Sequence, residues 1–347
     1  MYLGIEIGGT KLQLGIGPGD SAALAAFERA EVQRAEGAAG IRRQIQQLAD
    51  PLILRHGVKA IGIGFGGPVD AVAGRTIKSH QIDGWEDFPL ADWCRQTFGL
   101  PVALSNDADA AGLAEASFGA GRGRKIVFYI TVGSGIGGAL VIDGQVYRGS
   151  AGVASEIGHL RPGLLADQPD RTVESQASGW GIMEAAQVRL TEPFAHPLDA
   201  LTRGEKPVGP DSVRQRLIEC EEADERSAAD LLGRCDGQAD QLTTKMIAQA
   251  AADGNRLAIE VFRHACQVLG WAIGQVITLV APEVIVVGGG VSLVGEELFF
   301  VPLREEVQRY VFPPLRSSYQ IVAAELGESV VVYGALAVAA SAGRAAK

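Results

Sequence analysis

Cysteine is scarce in this sequence, and the cysteines that occur are widely separated. The 347 residues include four of them, Cys94, Cys220, Cys235 and Cys266, and no two form a Cys-x-x-Cys pair. This spacing argues against a disulfide framework or a cysteine-based zinc motif, and it is typical of reduced thiols in a cytosolic protein. We therefore expect a cytoplasmic protein with free thiols.

The sequence also lacks a long hydrophobic run and an excess of basic residues. No uncharged apolar stretch reaches the ~18 residues of a membrane span, and a strand-like segment stands at the start, so we expect no membrane contact and no secretory signal. The formal net charge of −10 argues against a general nucleic-acid binder. It does not exclude a phosphorylated ligand, because backbone N–H groups and Mg²⁺ can hold phosphate on an acidic protein.

Glycine is abundant, with 45 residues, about 13% of the chain against a usual ~7%. The glycines are clustered and not periodic, which indicates turns and ligand loops. Hydrophobic residues make up 47% of the chain, enough for a large core. Because single cores stop growing at roughly 250–300 residues, the length predicts two domains.

An Asn-Asp pair at a predicted strand end is the first candidate for chemistry. The apolar run 101–104 leads to Asn106 and Asp107, and the small residues that follow favour a helix. Such a pair is also an ordinary helix N-cap, and the tetrapeptide alone favours that interpretation. A strand end followed by a helix is nevertheless a common place for catalytic groups in an α/β sheet.

Two glycine turns of similar architecture lie about 125 residues apart. Residues 2–17 read as two strands around Gly8, Gly9, Thr10 and Lys11, and a plain tight hairpin explains the glycines but not the Thr and Lys. Successive N–H groups and a hydroxyl in such a turn suit phosphate. The second "strand, glycine-hydroxyl turn, strand" unit, within 126–142, suggests a duplicated α/β domain with a phosphate loop on each side of a cleft. Its turn contains Gly133, Ser134 and Gly135.

Two further glycine clusters follow buried strands. The strand before Gly66 and Gly67 runs into a Gly-Gly-Pro turn, where either close strand packing or the approach of a ligand explains the glycines. Gly288, Gly289 and Gly290 lie between a strand and an expected helix. That order suits a nucleoside pressed against backbone, although a plain strand–helix turn uses glycine as well.

Polar side chains in a glycine-rich loop form another candidate group. His159 alone favours a structural histidine, and Glu156 three residues before it makes contact with a polar ligand equally plausible. Glu174 begins an expected helix, where a first-turn Glu is also normal dipole complementation.

Four secondary-structure expectations are open to test by the structure. Residues 23–33 form a third strand or a short helix, and Pro51 kinks or divides the helix predicted over 40–56. A helix is expected to start near Gly295, and a final Ala-rich helix to cover 334–346.

These stretches, taken in order, resemble the ROK family of bacterial sugar kinases and sugar-responsive repressors. Each motif is modest, but their order and spacing over nearly the whole chain are specific. The motifs cover residues 7–11, 66–70, 106–111, 133–138, 156–159, 282–290 and 334–335.

The resemblance implies an α/β protein of two actin-like ATPase (ribonuclease H-like) domains around a cleft. We place the boundaries at 1–112 plus 330–347 for the small domain and 113–329 for the large one. It further implies ATP and Mg²⁺ as cofactors, a sugar substrate and a homodimer; the expectation of no nucleic-acid partner rests on the net charge.

The resemblance also assigns roles to the candidate residues. Asp107 would be the general base that takes the proton from the attacking sugar hydroxyl. The other sugar contacts would be Gly67, Asn106, Glu156, His159 and Glu174. The turns at 8–11 and 133–135 would hold the ATP phosphates, and residues 288–290 would flank the nucleoside.

Three departures from the family pattern affect these expectations. Glu6 stands where the family usually has Asp, near the phosphates and the metal. Residues 162–172 lack the Cys-x-Cys-Gly-x-x-Gly-Cys zinc motif, and His159 alone cannot build a tetrahedral site, so we expect no structural zinc. Ser155 replaces the usual Gly before Glu156.

The leading hypothesis is an ATP-dependent hexose kinase, most simply one that converts glucose to glucose 6-phosphate. The alternatives are a kinase for fructose, mannose or an N-acetylhexosamine, and a non-catalytic sugar-binding ROK protein. A polyphosphate donor stays open, although no strongly basic surface for a long anion stands out. A repressor is disfavoured because the sequence begins at the first strand, without a helix-turn-helix segment before it.

Overall fold

The computed structural model describes residues 1–79, 81–150, 152–163, 168, 170–191 and 224–345. Cys220 therefore lies outside the described residues. None of the helices in these ranges combines the length and the hydropathy that a membrane span requires.

Two five-stranded mixed sheets form the framework. The strands of the first sheet are β1 (Tyr2–Ile7), β2 (Lys11–Gly17), β3 (Ala26–Glu31), β4 (Ile61–Phe65) and β7 (Val102–Asn106). Those of the second are β8 (Ile126–Val132), β9 (Ile136–Ile142), β10 (Gln145–Tyr147), β11 (Val284–Gly288) and β12 (Gln320–Ala323). A short hairpin pairs β5 (Val69–Asp70) with β6 (Arg75–Thr76).

The two sheets share one strand order. The first runs β3-β2-β1-β4-β7 and the second β10-β9-β8-β11-β12. In each, the first three strands pair antiparallel and the last two join in parallel. The repeated "strand, glycine turn, strand" pattern of the sequence therefore corresponds to a repeated sheet topology.

Helices cover the sheets. They are α1 (Gly37–His56), α2 (Leu90–Phe98), α3 (Asp107–Phe118), α4 (Val173–Ala177), α5 (Gly179–Thr191), α6 (residues 224–234), α7 (Thr244–Ala252), α8 (Arg256–Val280), α9 (Val301–Tyr310) and α10 (Val330–Ala345). α10 packs on β1 and β4 of the first sheet, α3 packs on β8 and β9 of the second, and the two helices pack against each other.

The structure decides the four secondary-structure expectations. Residues 23–33 contain a strand, β3, and α1 continues unbroken through Pro51. The segment after Gly295 first makes a π-helical turn, Glu296–Phe300, before α9 begins. The last helix begins at Val330, four residues before the predicted start. The prediction relied on the alanine-rich stretch, whereas Val331 and Val332 before it are also helical and pack into the interior.

Candidate active site

Asn106 ends β7 and starts α3, and it acts as a true helix cap. Its Oδ1 accepts hydrogen bonds from the N–H groups of Ala108 at 2.8 Å and Asp109 at 3.2 Å. Its amide nitrogen donates to the carbonyl of Gly67 at 3.0 Å. The capping interpretation is therefore confirmed, and the same side chain also ties the start of α3 to the Gly-Gly-Pro turn.

Asp107 presents its carboxylate beside the first glycine turn. Oδ1 accepts from the N–H of Ala108 at 2.8 Å. A Cβ added to Gly66 would lie 3.5 Å from Asp107 Oδ2, 3.5 Å from the Cα of Gly8 and 3.2 Å from the carbonyl of Ile7. Glycine at position 66 thus allows the end of β1 and the Asp107 carboxylate to approach each other.

The pKa of Asp107 is raised to about 6. Burial is the main cause, because a carboxylate loses water around its charged form. The Ala108 N–H lowers the pKa, and the negative charge of Glu156 raises it. A carboxyl group with this pKa is mostly deprotonated at neutral pH and accepts a proton more readily than an ordinary aspartate.

Glu6 is nearly inaccessible, with 5% of its surface exposed. Its Oε1 lies 3.1 Å from Lys11 Nζ, and the Gln13 amide, with its nitrogen turned toward Glu6, donates to Oε2 at 2.7 Å. Burial raises the pKa of Glu6 to about 7, Lys11 opposes that rise, and Asp107 adds to it. The longer side chain at this position is therefore held by two partners on the first hairpin.

The first glycine turn is held from outside by residues that the sequence did not mark. Arg34 Nε donates to the carbonyl of Gly9 at 2.7 Å. The Gln81 side chain packs on the same residue, since a Cβ on Gly9 would lie 1.7 Å from Gln81 Oε1. Thr10 is exposed, and Gly8 closes the turn by donating to the Lys11 carbonyl at 3.0 Å.

The second glycine turn is fixed by Glu174. The Gly133 N–H donates to the Gly135 carbonyl at 2.9 Å, and Glu174 Oε2 accepts from the N–H of Ile136 at 2.8 Å. A Cβ on Gly135 would lie 2.7 Å from the same carboxylate oxygen. One oxygen of Glu174 thus holds the turn.

Glu156 and His159 lie in a loop that packs directly on β9. A Cβ on Gly138 would lie 2.4 Å from the Ser155 carbonyl, and one on Gly158 would lie 2.2 Å from the Ile136 carbonyl. Glu156 and His159 themselves are exposed. Partial burial of its carboxylate raises the pKa of Glu156, and His159 opposes this rise.

The carboxylates of this region influence one another. The charge of Glu174 raises the pKa of Glu156, and the charge of Glu156 raises the pKa of both Asp107 and Asp109. The loop, the start of α3 and α4 are therefore brought to one place.

Arg148 is a site neighbour that sequence reasoning missed. Its Nε lies 3.2 Å from Asp109 Oδ2, and its Nη2 donates to the buried Ser105 hydroxyl at 3.4 Å. Burial still raises the pKa of Asp109 to about 6, against the effect of Arg148. Arg148 follows a short hairpin that is far from Asp109 in sequence, so no local sequence pattern predicts the Arg148–Asp109 ion pair.

A cavity of about 740 Å³ opens beside the second glycine turn. Its lining includes Ser134, Gly290 and the side chains of Trp180, Lys245 and Leu293. Gly290 has open space where a Cβ would stand. A mostly apolar lining with a few polar groups is typical of a pocket for a small molecule or cofactor.

The other two glycines of the third cluster serve packing. Gly289 has a φ of +89°, and a Cβ there would lie 2.5 Å from the Val132 carbonyl. A Cβ on Gly288 would lie 2.9 Å from the Tyr129 hydroxyl. Only Gly290 of this cluster lines the cavity.

Metal ligands are sparse among the described residues. No group of three His, Cys, Asp or Glu side chains in that part of the chain is arranged to hold a metal ion. Residues 164–167 and 169, where the family carries its zinc motif, lie outside the described residues. The absence of a structural zinc thus stays a prediction.

The fold and the site define an α/β protein with two sheets of equal topology and a buried carboxylate between glycine-rich turns. The chain belongs to the ROK family, whose model matches residues 2–342. It is 28% identical over 341 residues to a glucokinase of Thermotoga maritima, and the alignment covers 97% of this chain and 96% of that protein.

One solved structure and a repressor extend the comparison. A ROK family glucokinase from Streptomyces griseus, crystallised with glucose and AMPPNP, is 32% identical with a TM-score of 0.75, covering 97% of this chain and 98% of that one. A xylose repressor of Caldicellulosiruptor bescii is 27% identical over 285 residues, which are 82% of this chain and 63% of the repressor.

Proposed function

We propose that this protein is an ATP-dependent hexose kinase that converts glucose to glucose 6-phosphate. The observation that carries the proposal is the position of Asp107, whose carboxylate lies within reach of the first glycine turn and has a pKa of about 6. Phosphoryl transfer needs a base near the attacking hydroxyl and N–H groups near the phosphates. The relatives named glucokinase and the cavity beside Ser134 support the same reaction.

In this mechanism each group acts on a defined atom. Asp107 takes the proton of the glucose 6-hydroxyl as that oxygen bonds to the γ-phosphorus and the bond to ADP breaks. Asn106, Glu156, His159 and Glu174 hold the other hydroxyls, and the Gly67 backbone completes the sugar pocket. The N–H groups of the two turns, with Thr10, Lys11 and Ser134, hold the phosphates, and the cavity at Gly290 takes the nucleoside.

The residues present also fit Mg²⁺. Hard carboxylate oxygens and phosphates are the ligands that Mg²⁺ prefers, and Glu6 offers such a carboxylate beside the first turn. When bound, the ion would neutralise charge on the transferred phosphoryl group. Lys11 and Gln13 meanwhile keep the Glu6 side chain in place.

We further propose two domains, residues 1–112 plus 330–347 and residues 113–329, that close over the sugar. Separate apolar clusters under each sheet support this division. Closure would exclude water, which limits ATP hydrolysis. A homodimer is an expectation from the family resemblance, and a cytoplasmic location is an expectation from the cysteine spacing.

A coupled assay of ADP release tests the proposal across glucose, mannose, fructose, N-acetylglucosamine and N-acetylmannosamine. We expect the highest kcat/KM with glucose. Turnover of another sugar alone would support the alternative kinases. Sugar binding without any turnover would support the non-catalytic ROK protein, for which Glu6 in place of the usual Asp is the motivating feature.

Metal analysis that found one tightly bound zinc per chain would overturn the prediction of a zinc-free protein.

A further inference from the structure

Glu115 is a buried carboxylate that the mechanism above does not use. It lies on α3, the helix that begins at Asp107, and none of its surface is exposed. Its Oε2 accepts from the N–H of Ala120 at 2.9 Å, and its Oε1 accepts from the N–H groups of Glu325 at 3.0 Å and Leu326 at 2.9 Å. A buried charge is tolerated only with such partners, and here the partners connect α3 to a distant segment.

That segment, residues 324–329, is the crossover between the two sheets. It leaves β12 of the second sheet and enters α10, which packs on the first sheet. Its start lies against the third glycine cluster: the Ala324 N–H donates to the Val287 carbonyl at 3.0 Å, and a Cβ on Gly288 would lie 3.1 Å from the Ala324 Cβ. The crossover segment therefore begins against Gly288, two residues before Gly290 of the cavity.

The other end of the crossover segment reaches the first glycine turn. The Glu328 carbonyl accepts from Lys11 Nζ at 3.2 Å and from the Gln13 amide at 3.2 Å. The Glu328 carboxylate pairs with Arg29 of β3 at 2.7 Å. Lys11 and Gln13 are the same two residues that hold Glu6, so the position of this segment bears on the phosphate end of the site.

We propose that Glu115 is a positioning residue that fixes the crossover segment, and through Glu328 fixes Lys11, relative to Asp107 at the other end of α3. A single helix then carries the base at its first residue and the anchor of the phosphate turn in its last turn. This inference rests on the proposed kinase function and deepens it. It predicts that replacing Glu115 changes the kinetic constants for ATP and leaves the KM for the sugar nearly unchanged.

Glu115→Gln keeps the size of the side chain and replaces one acceptor oxygen by a donor, so at least one backbone N–H loses its partner. Because a displacement of about 1 Å can cost up to ~10²-fold in rate, we expect kcat/KM for ATP to fall at least about tenfold. The KM for glucose should stay within about twofold. Glu305→Gln, an exposed substitution on α9, is the matched control and should change neither constant.

A double-mutant comparison separates positioning from general loss of stability. If Glu115 acts through Lys11, Glu115→Gln added to Lys11→Ala should not raise the KM for ATP further. Hydrogen exchange without substrates should show faster exchange at residues 325–326 and at 8–11 in folded Glu115→Gln. This readout stands apart from activity, so a wild-type protein without sugar turnover would defeat the proposed function alone.

Three results would overturn the inference: unchanged ATP constants in a folded Glu115→Gln variant, an equal rise of both KM values, or additive effects with Lys11→Ala. If Glu115→Gln does not fold, Arg29→Ala decides, because it removes the exposed pair at the far end of the crossover segment. We then expect a rise of about twofold in the KM for ATP, as for loss of a surface ion pair, and an unchanged value would contradict the proposal.

Discussion

Asp107 lies where a helix begins and a glycine turn approaches, and these two neighbours set its acidity in opposite directions. Burial against Gly66 and the β1 end raises its pKa, and the Ala108 N–H at the helix start lowers it. The result, a pKa of about 6, leaves the carboxylate charged at neutral pH. Burial of this charge lowers the stability of the folded state at neutral pH, and such strongly shifted pKa values are common at functional sites.

Asp107→Asn tests both consequences at the residue scale. Without a base, kcat should fall by ~10²–10⁴, and the affinity for glucose should change by less than about tenfold. In the wild type, kcat/KM should fall as the pH drops through about 6, the pKa of Asp107. The measurement is the coupled assay from pH 5 to pH 8.

The same variant should be more stable than the wild type at pH 7.5. A carboxyl group whose folded pKa exceeds its unfolded pKa destabilises the fold above the folded pKa, and this effect vanishes below the unfolded pKa. The gain in Tm should therefore disappear near pH 4. Asp109→Asn is the control for activity: it removes a neighbouring carboxylate with a raised pKa, and full loss of turnover in that variant would contradict the assignment of the base.

Ser155 has a φ of +66°, a left-handed conformation that a residue with a Cβ adopts at a cost. Since that cost is roughly 1–2 kcal/mol and glycine gives part of it back through unfolded-chain entropy, Ser155→Gly should stabilise the protein by about 1 kcal/mol. Ser155→Ala removes the hydroxyl without relieving the backbone and should give no gain. Urea unfolding measures both, and an equal gain in the two variants would show that the hydroxyl, not φ, is responsible.

At the scale of elements, the crossing of α3 and α10 joins the two sheets. The backbones approach so closely that a Cβ on Gly334 would lie 1.8 Å from the Ala110 carbonyl. On the other side of α10, a Cβ on Gly62 of β4 would lie 1.9 Å from the Ala335 carbonyl. Glycine is needed at positions 62 and 334 because even a methyl group there would push the packed layers apart.

Gly334→Ala should therefore destabilise the protein, although alanine is the better helix former. The added methyl group meets backbone, which cannot rotate away, so we expect a loss near the upper end of the ~1–3 kcal/mol of overpacked cores. Gly233→Ala in α6 is the control, because no atom lies within 4 Å of its added Cβ, and it should gain about 0.5–1 kcal/mol. A stable Gly334→Ala variant in urea unfolding would show that the two helices can separate at little cost.

For the whole molecule, the buried acids of the site share one pH window. The pKa of Glu6 is raised to about 7, and those of Asp107 and Asp109 to about 6, with burial the main cause in each case. Between about pH 4 and pH 7 these three acids thus bind more protons in the folded protein than in the unfolded chain. Their contribution lowers the free energy of unfolding as the pH rises through this window.

We expect the ligand-free protein to be more stable at pH 5.5 than at pH 7.5. Urea unfolding at the two pH values measures the difference, and Glu6→Gln should reduce it because Glu6 has the highest pKa of the three. A protein that is less stable at pH 5.5, or a Glu6→Gln variant with the full wild-type difference, would show that these acids do not dominate the pH dependence.

The sequence by itself determined the local elements and the ends of the strands. Alternating apolar residues predicted β1 and β2, and the Asn106 cap and the small residues after it predicted α3, because these signals act within one turn or one strand. The order of the motifs also identified the family, which the comparison confirms. The roles given to Asp107 and the other site residues stay proposals.

Only the tertiary structure decided which distant groups meet. Arg148 at Asp109, Arg34 at Gly9 and Glu115 at Leu326 are contacts between elements that are 25 to 211 residues apart. It also assigned different tasks to similar glycines, since Gly290 lines a cavity and Gly289 permits close packing. The physical reason is that hydrogen bonds and burial depend on neighbours in space, and pairing of sheets and crossing of helices set those neighbours without leaving a pattern in the sequence nearby.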